Sequence, residues 1–392
     1  MTSIRWIIRR LSFVILCSGF ATGGAFATDF IAKSGTAEDI QKAAENTNPG
    51  DTITLPEGRF IFHGQVFLPD GVSIRGAGRD STLLIKDDRL GEWKPMFSVD
   101  CKTGEPFSFS GITLQGTGRD LQDSSSPSDH IQDQGLLLRG GCKNFRIFGS
   151  RFTKFSRAGI ELNGDDGSIH GEPTGVIFEN EFIDIWSPYL GYGVAVNGSA
   201  AAWERPLALG TDQAVFVEDN YFEADRCAIQ ANNGANYVFR HNQISNNQAD
   251  SAAIYAHGIY TLGKGPFWPR GTRSFEIYNN KLQNDIPRWA GIALGGGTGV
   301  IFDNDLAGVT FGIVFMIESD SKIAKQYPYQ DQISDTWVWR NTANGRPIDA
   351  VTLRKADGIN MTEFLQPDRD FFLQPKPNYQ PFTYPHPARQ RL

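Results

Sequence analysis

Tyr255 and His257 are the clearest candidates for proton transfer in this sequence. Only one residue separates them, so both side chains would point to the same side of an extended strand. A β-elimination next to a carboxylate needs a base, an acid and a group that stabilises the developing negative charge. Imidazole and phenol groups can serve as base and acid. We therefore take His257 as the candidate base and Tyr255 as the candidate acid.

Amide and guanidinium groups can supply the charge stabilisation that this reaction needs. Earlier segments of the chain are similar to residues 254–258, and each ends in a polar residue at the place of His257. The candidates for the catalytic charge-stabilising groups are Arg139, Asn197 and Asn232. The candidates for substrate contact on the same face are Gln230 and Asn163.

Long insertions near these segments carry tryptophan and arginine. Trp203 and Trp268 have aromatic faces that can stack on sugar rings, and loops on a rigid scaffold can form the walls of a cleft. Arg270 and Arg273 lie close to His257 in sequence and suit the recognition of a carboxylate. We predict that all four contact substrate, with an interface between subunits as the alternative for the tryptophan loops.

Arg240 and His241 belong to a different series of segments. We predict that they also contact substrate, on a face that is adjacent or opposite to that of His257. The sequence leaves the choice between these two faces open.

Hydrolysis of a glycosidic bond is the main alternative to elimination, and it needs two carboxylates ~5 to 9 Å apart. On the face of His257, the best carboxylate pair is Glu161, as a catalytic group, with Asp165 or Asp166. A second candidate set is Glu179 with Glu218 and Asp219.

Internal repeats must position these residues. Six segments share an apolar pair followed by asparagine (serine in the first) and a bulky residue, with the polar residue at 150, 180, 220, 242, 280 and 304. Their separations of 30, 40, 22, 38 and 24 residues fit one basic period of about 23 with insertions. A second apolar segment with alternation of period two follows each one. Short strands with Asn and Gly at the corners predict a parallel β-helix, in which the asparagines stack and hydrogen-bond.

The segment before the first repeat has the pattern of an amphipathic helix. Residues 37–44 place Ile40, Ala43 and Ala44 on one face. We predict a helix that covers the open end of the first coil and protects its edge.

Residues 49–58 (PGDTITLPEG) and 71–78 (GVSIRGAG) resemble the opening of right-handed parallel β-helix proteins of the pectate lyase superfamily. The resemblance covers about residues 32–320. It implies an all-β fold, a right-handed single-stranded parallel β-helix. It also implies chemistry on carbohydrates, although this superfamily contains lyases, hydrolases, esterases and epimerases.

These observations together predict an exported carbohydrate-active enzyme that cleaves a polysaccharide by β-elimination at uronate residues. The alternatives are a glycoside hydrolase, a C5-epimerase and a non-catalytic protein for polysaccharide binding or assembly. The partner is a polysaccharide or an oligosaccharide. A formal net charge of −7 argues against a nucleic-acid partner. We expect no cofactor and no metal, with Ca²⁺ at Asp-rich corners as the alternative.

The first 27 residues are typical of an export signal. Arg5, Arg9 and Arg10 precede an apolar run, and residues 25–27 (AFA) match a cleavage site. We predict a secreted or periplasmic protein without a membrane span in the mature chain, and a membrane anchor is the alternative reading of this segment.

The mature chain divides into two parts in this interpretation. We predict a β-helix domain over residues 28–330, followed by an irregular coil and a proline-rich tail over 331–392. Export permits disulfides, and Cys101 with Cys142 is a candidate pair. Oligomers are also compatible with the sequence.

Overall fold

A computed structural model describes residues 27–87, 94–118, 133–164, 171–187, 190–247, 251–259, 270–318, 326–354 and 360–390. The chain winds through three ladders of parallel strands, one strand of each ladder per coil. This is the parallel β-helix that the repeats predict. We name the ladders sheets 1, 2 and 3 in the order in which each coil passes through them.

Sheet 1 contains the strands that precede the asparagine column. Its strands are Asp29–Ile31, Thr52–Thr54, Ser73–Arg75, Ser108–Ser110, Phe145–Phe148, Gly175–Phe178, Val215–Glu218, Asn236–Arg240, Ser274–Tyr278, Thr298–Phe302, Thr336–Trp339 and Phe371–Phe372.

Sheet 2 contains the short strands that follow this column. Its strands are Gly58–Phe62, Thr82–Lys86, Thr113–Gln115, Arg151–Thr153, Glu181–Ile183, Tyr221–Glu223, Gln243–Ser245 and Thr342–Ala343, and the last of these also pairs antiparallel with Arg346–Pro347. Two long strands, Lys281–Leu294 and Asp305–Met316, begin in sheet 2 and continue into sheet 3 without a loop between the sheets.

Sheet 3 positions the predicted site. Its remaining strands are Val66–Leu68, Pro95–Asp100, Gln134–Arg139, Ala158–Asn163, Tyr192–Asn197, Cys227–Asn232, Ala252–Ala256 and Thr352–Arg354. The strand register confirms both outward columns that the sequence predicts. One column is Arg139, Asn163, Asn197 and Asn232, and the other is Leu137, Glu161, Ala195, Gln230 and Tyr255. Residues between them, such as Ile160, Val194 and Ile229, point into the apolar interior.

The asparagine column forms a hydrogen-bonded ladder inside the corner between sheets 1 and 2. The Oδ1 of Asn242 accepts the backbone N–H of Asn220 at 3.0 Å, and its Nδ2 donates to Asn280 at 3.1 Å. The same pattern joins the other members from Ser150 to Asn341. The left-handed backbone of the corner lies one residue earlier, for example at His241 with φ 55°, rather than at the asparagine itself.

The predicted N-terminal helix is present over Ala37–Ala44. Thr36 caps it by accepting the N–H of Asp39, and Ile40 is fully buried in the main core. Gln41 exchanges two hydrogen bonds with the backbone of Phe67, which fixes the helix against the first coil.

The chain continues in register after residue 330. The strand Thr336–Trp339 pairs with Thr298–Phe302 in sheet 1, and Thr352–Arg354 extends sheet 3. A short helix, Met361–Phe364, follows. The boundary near residue 330 is therefore too early for the strand ladders.

Residues 371–390, which we call the strap, run back along the outer face of sheet 1. Phe372 stacks on Trp337 at 4.1 Å, and Phe382 packs against Phe216, four strands before that of Trp337 in sheet 1. The strap ends in a 3-10 helix, Pro387–Gln390, whose Arg389 lies 4.6 Å from the ring of Phe178. The outer aromatic face of sheet 1 is thus a second apolar core, covered by the strap.

Cys101 and Cys142 form a disulfide at the ends of two successive strands of sheet 3. Cys227 is buried and not disulfide-bonded, and its Sγ lies 3.0 Å from Oγ of Ser251. The disulfide between Cys101 and Cys142 is the pair that the sequence suggests as a candidate.

Candidate functional site

His257 and Glu318 form the centre of the candidate site. The Nδ1 of His257 lies 3.0 Å from Oε1 of Glu318. The hydroxyl of Tyr255 donates to the same oxygen at 2.5 Å, and the backbone N–H of Gly258 donates to Oε2 at 2.6 Å. Three groups from one segment therefore converge on one carboxylate from a later coil.

The local sequence explains this convergence. His257 directly follows the strand Ala252–Ala256, and its N–H continues the ladder by donating to Ala231. A Cβ atom on Gly258 would lie 2.3 Å from the carbonyl oxygen of Gly295, so only glycine fits at this stacked turn. Glu318 follows the strand Asp305–Met316, which ends at the same edge of sheet 3.

Glu318 is ionised at neutral pH. Burial alone would raise its pKa, but the charge of His257 and the hydrogen bonds from His257, Tyr255 and Gly258 outweigh burial and lower the pKa. A carboxylate can only accept hydrogen bonds, so Nδ1 of His257 carries the hydrogen. The lone pair of the neutral ring is then on Nε2, as a general base requires.

The hydroxyl of Tyr255, the predicted acid, is engaged with Glu318. Burial raises its pKa well above the usual value, and the neighbouring Glu318 raises the pKa further. Its proton is held in the hydrogen bond to Glu318. Tyr255 therefore orients the carboxylate and packs against the His257 ring, with the ring centres 4.1 Å apart.

A pocket of about 210 Å³ opens beside this centre. Its lining residues are Tyr192, Arg226, Cys227, Ser251, Tyr255, His257, Trp289 and Arg354. The guanidinium of Arg354 lies 4.8 Å from the Trp289 ring. Arg226 and Arg354 bring positive charge to the pocket lining, which favours an anionic ligand.

The polar columns below this pocket are mostly covered. Asn197, Asn232 and Gln230 are only 6%, 7% and 3% exposed. Asn197 donates to Asn163 at 2.8 Å, and Asn232 accepts the N–H of Asn233. The columns therefore exist as predicted, but their middle part does not form an open face.

Arg139 lies at the exposed end of the same column, several coils before His257. It forms an ion pair with Asp100 at 2.7 Å, and both side chains are about half exposed. The buried Asn197 and Asn232 lie between Arg139 and the pocket, which separates Arg139 from His257. The catalytic role of Arg139 therefore has no support from its position at this pocket.

Glu161 is engaged with Arg157 in a two-point ion pair. Nε of Arg157 donates to one oxygen at 2.7 Å and Nη2 donates to the other at 2.9 Å. Asp165 and Asp166, the proposed carboxylate partners of Glu161, lie outside the described residues. The second acidic set is also engaged, because Arg389 of the strap contacts Glu179, Glu218 and Asp219.

Arg270 is held by a partner within the protein. It forms a two-point ion pair with Asp331, with distances of 2.6 and 2.8 Å, and its guanidinium lies 3.6 Å from the ring of Trp203. Arg273 is 5.6 Å from the same ring. Asp331 engages Nε and Nη2 of Arg270, and the carboxylate-binding role of Arg270 stays a prediction. Trp268 lies outside the described residues.

Arg240 and His241 lie under the strap. Arg240 is fully buried, pairs with Glu218 at 2.6 Å and donates to the backbone of Phe382 and Thr383. His241 stacks on Tyr384 with the rings 3.7 Å apart. Both residues attach the strap to sheet 1, which leaves their predicted substrate contact without support from their position.

Sequence reasoning misses Glu318, Arg226 and Arg354. Glu318 belongs to no repeated polar column, and its only signal is an acidic residue directly after a buried apolar strand. Arg226 precedes the strand of Gln230, and Arg354 ends the last strand of sheet 3. Only the register of the coils shows that they meet His257.

Within the ranges that the structure describes, no group of three His, Cys, Asp or Glu side chains is arranged to hold a metal ion. None of the helices in these ranges is long and apolar enough to cross a membrane.

No protein-family model and no curated protein sequence matches this chain. Solved structures do match. A mannuronic acid specific polysaccharide family 6 lyase from the human gut microbiota has a TM-score of 0.50 and 14% identity, and the match covers 86% of this chain and 85% of that one.

Two further structures match at lower scores. The catalytic unit of a GH87 α-1,3-glucanase from Streptomyces thermodiastaticus strain HF3-3 has a TM-score of 0.47 and 12% identity over 89% of this chain and 67% of its own. An alginate lyase from Paenibacillus sp. str. FPU-7 has a TM-score of 0.44 and 15% identity over 81% and 99%. At such identities the likeness shows the fold alone, and that fold is the parallel β-helix.

Proposed function

We propose that this protein is an exported polysaccharide lyase that cleaves a uronate-containing chain by β-elimination. The observation that carries the proposal is the pairing of His257 with the ionised Glu318 in a pocket that contains Arg226 and Arg354. The pair supplies an oriented base, and the arginines supply cations for a substrate carboxylate. The lyase of the human gut microbiota, whose fold is similar, makes mannuronate polymers the first substrates to test.

The reaction uses the groups as follows. Nε2 of His257 removes the proton from C5 of the uronate, and the electrons of that C–H bond form the C4–C5 double bond. The C4–O4 bond breaks, and O4 leaves with its electron pair. The imidazolium, stabilised by Glu318, is the group placed to return the proton to O4. Arg226 and Arg354 stabilise the negative charge on the carboxylate while the C5 proton is removed.

Export is part of the proposal. The signal-like N-terminal segment supports it, and so does the disulfide between Cys101 and Cys142, because disulfides persist in oxidising compartments.

The test is incubation of the purified protein with polymers of mannuronate, guluronate and galacturonate and with neutral glucans. Mass spectrometry distinguishes the reactions, because elimination gives a product that is one water lighter than hydrolysis gives. We expect unsaturated products from at least one uronate polymer. Saturated products alone would support a hydrolase. C5 inversion without cleavage, followed by NMR spectroscopy of the polymer because it leaves the mass unchanged, would support an epimerase.

The His257→Ala variant tests the assignment of the base. We expect its turnover to fall by about 10²- to 10⁴-fold with an unchanged circular dichroism spectrum, since this is the usual effect of losing a general base. Full activity of the folded variant would contradict the assignment.

A further inference from the structure

We infer that the N-terminal end of sheet 3 carries a second, non-catalytic binding site for the polysaccharide. The site lies on the first two strands of the sheet, Val66–Leu68 and Pro95–Asp100, and we call it the distal site. It rests on the proposed function only for the identity of the sugar, because none of its residues takes part in the elimination. A pocket, an exposed aromatic ring and an exposed carboxylate carry the inference.

A pocket of about 230 Å³ opens at the distal site. Phe67, Pro69, Asp70, Asp100 and Lys102 are among its lining residues. The lining therefore combines one aromatic ring with carboxylates and an ammonium group. A pyranose ring has an apolar face of C–H groups and a rim of hydroxyls, so a pocket that pairs an aromatic ring with polar groups suits one sugar residue.

Phe67 presents its aromatic ring to the solvent. Its neighbours Val66 and Leu68 are buried in the main core, so the alternation of the strand turns Phe67 outward, and it is 52% exposed. Gln41 of the N-terminal helix accepts the N–H of Phe67 at 2.8 Å and donates to its carbonyl at 3.4 Å. These two hydrogen bonds fix the backbone that carries the ring. A ring in a fixed position loses little conformational entropy when a sugar stacks on it.

Asp100 supplies a hydrogen-bond acceptor to the same pocket. Its Oδ1 accepts Nε of Arg139 at 2.7 Å, and its side chain is 51% exposed. Its Oδ2 accepts no hydrogen bond from the part of the chain that the structure describes. A carboxylate oxygen can only accept hydrogen bonds, so this oxygen suits a sugar hydroxyl that donates to it.

Lys102 supplies a cation for a uronate carboxylate. Oδ2 of Asp70 accepts the N–H groups of Lys102 and Thr103 at 2.8 and 2.7 Å, which fixes the segment that carries Lys102. The disulfide of Cys101 with Cys142 holds the same segment. The distal site thus contains a ring for the apolar sugar face, an acceptor for hydroxyls and a cation for the carboxylate. Together these groups match a uronate residue.

The strand register places the distal site and the pocket at His257 on the same face of the β-helix. Phe67 pairs with Ser98 and Ser98 pairs with Leu137, which continues the outward column of Tyr255 toward the N-terminal end. Tyr255 lies six strands after Phe67, which is ~29 Å at the strand spacing of ~4.8 Å. A long sugar chain can contact both sites at once, whereas a trimer is too short. The second contact raises the affinity for the polymer through its effective concentration.

The test measures sugar binding by the His257→Ala variant, in which loss of the proposed base suppresses cleavage of the probe. The probes are polymers of mannuronate, guluronate and galacturonate and their trimers, and isothermal titration calorimetry measures each Kd. We expect Phe67→Ala, added to His257→Ala, to raise the Kd for the polymer by about 3- to 10-fold relative to the Kd for the trimer, because ring stacking is lost. Phe67→Tyr keeps the ring and should hold the polymer Kd within about 2-fold of its original value. The matched control is Ile31→Ala, an exposed apolar residue at the same end of the β-helix but in sheet 1, which should change neither Kd.

The outcomes separate the distal site from the proposed function. Equal Kd values for Phe67→Ala and Ile31→Ala, or equal losses for polymer and trimer, would overturn the distal site and leave the proposed function intact. Polymer binding that depends on Phe67, without unsaturated products from the native protein, would overturn the proposed function and leave the distal site. An absence of binding to all three uronate polymers would overturn both.

Discussion

The carboxylate of Glu318 determines which nitrogen of His257 carries a hydrogen. Its two oxygens accept hydrogen bonds from Nδ1 of His257, the Tyr255 hydroxyl and the Gly258 N–H, and these three bonds fix the orientation of the carboxylate. A histidine in this arrangement has a fixed ring orientation and a defined tautomer. Glu318 is thus a positioning residue, which acts on the substrate only through His257.

Glu318→Gln should lower kcat by about 10- to 10³-fold and leave KM within about 2-fold. A neutral amide retains the shape of the side chain but cannot stabilise the imidazolium that forms when the proton is taken. Steady-state kinetics of the folded variant measure both constants. The matched control is Glu204→Gln, an exposed glutamate in the 3-10 helix Ala200–Glu204, which should change neither. A change in KM alone would mean that Glu318 contributes to binding rather than to the orientation of the base.

The lowered pKa of Glu318 also predicts how stability depends on pH. A carboxyl whose pKa is lower in the folded state stabilises the fold above its usual value of 4.5, and this contribution is lost as the pH falls through the folded-state pKa. The difference in unfolding free energy between the native protein and Glu318→Gln should therefore shrink as the pH falls below 4.5. Urea unfolding over a pH series measures it, and a difference that is independent of pH would contradict the ionised carboxylate.

At the scale of elements, the asparagine ladder holds the corner between sheets 1 and 2. Each buried asparagine joins three coils, since Asn242 accepts from Asn220, donates to Asn280 and also donates to the carbonyl of Val217 at 2.9 Å. The ladder satisfies the backbone N–H groups that the left-handed residue would otherwise leave unpaired inside the corner.

Asn242→Ala should lower the free energy of unfolding by about 2 to 4 kcal/mol, because it leaves the N–H of Asn220 and the carbonyl of Val217 buried without their partner. Gln243→Ala, a change at the exposed next residue, is the control and should have an effect below about 0.5 kcal/mol. Chemical denaturation compares the two. Equal effects would mean that the ladder contributes no stability beyond ordinary burial.

The repeats predict these elements well because the same packing and turning requirements apply in every coil. Alternating apolar residues such as Ile160 and Leu162 must face the interior, and a corner residue must turn the chain, so the pattern recurs with the coil. The outward columns follow from the same alternation. The exposure of a column does not follow from this alternation, because it depends on what covers each residue of the column. Asn197 and Asn232 are buried, although they occupy the same place in the repeat as the exposed Arg139.

The site itself could be predicted only in part for the same reason. Tyr255 and His257 share one strand, so their proximity is visible in the sequence. Glu318 and Arg354 reach the pocket from later coils that are separated by insertions of irregular length. Arg240 illustrates the opposite error, since its position in a repeat gives no sign that the strap, more than a hundred residues later, buries it.

At the scale of the whole molecule, the strap joins coils that do not otherwise touch. In a stack of repeats each coil contacts only its neighbours. The strap contacts six strands of sheet 1, from Thr336–Trp339 back to Gly175–Phe178, over roughly 25 Å at the spacing of adjacent strands. Its Arg389 and the buried Arg240 share Glu218, which places an ion cluster beneath an aromatic cover.

Truncation after Asp370 should expose this aromatic face and leave Arg240 with only Glu218 and the Tyr278 hydroxyl as partners. We expect a lower unfolding midpoint, increased binding of a hydrophobic dye and aggregation at concentrations at which the full chain stays dispersed. Calorimetry and light scattering measure these changes. A truncated chain that matches the full chain in all three would show that the strap contributes nothing to stability.

The position of the strap at the end of the chain sets the order in which the molecule can be completed. Synthesis produces every coil before it produces the residues that cover Phe216, Phe302 and Trp337. A chain that folded as it emerged would present this aromatic surface to its surroundings until residues 371–390 arrived. If the chain is exported unfolded, as proposed, this surface first forms on the far side of the membrane.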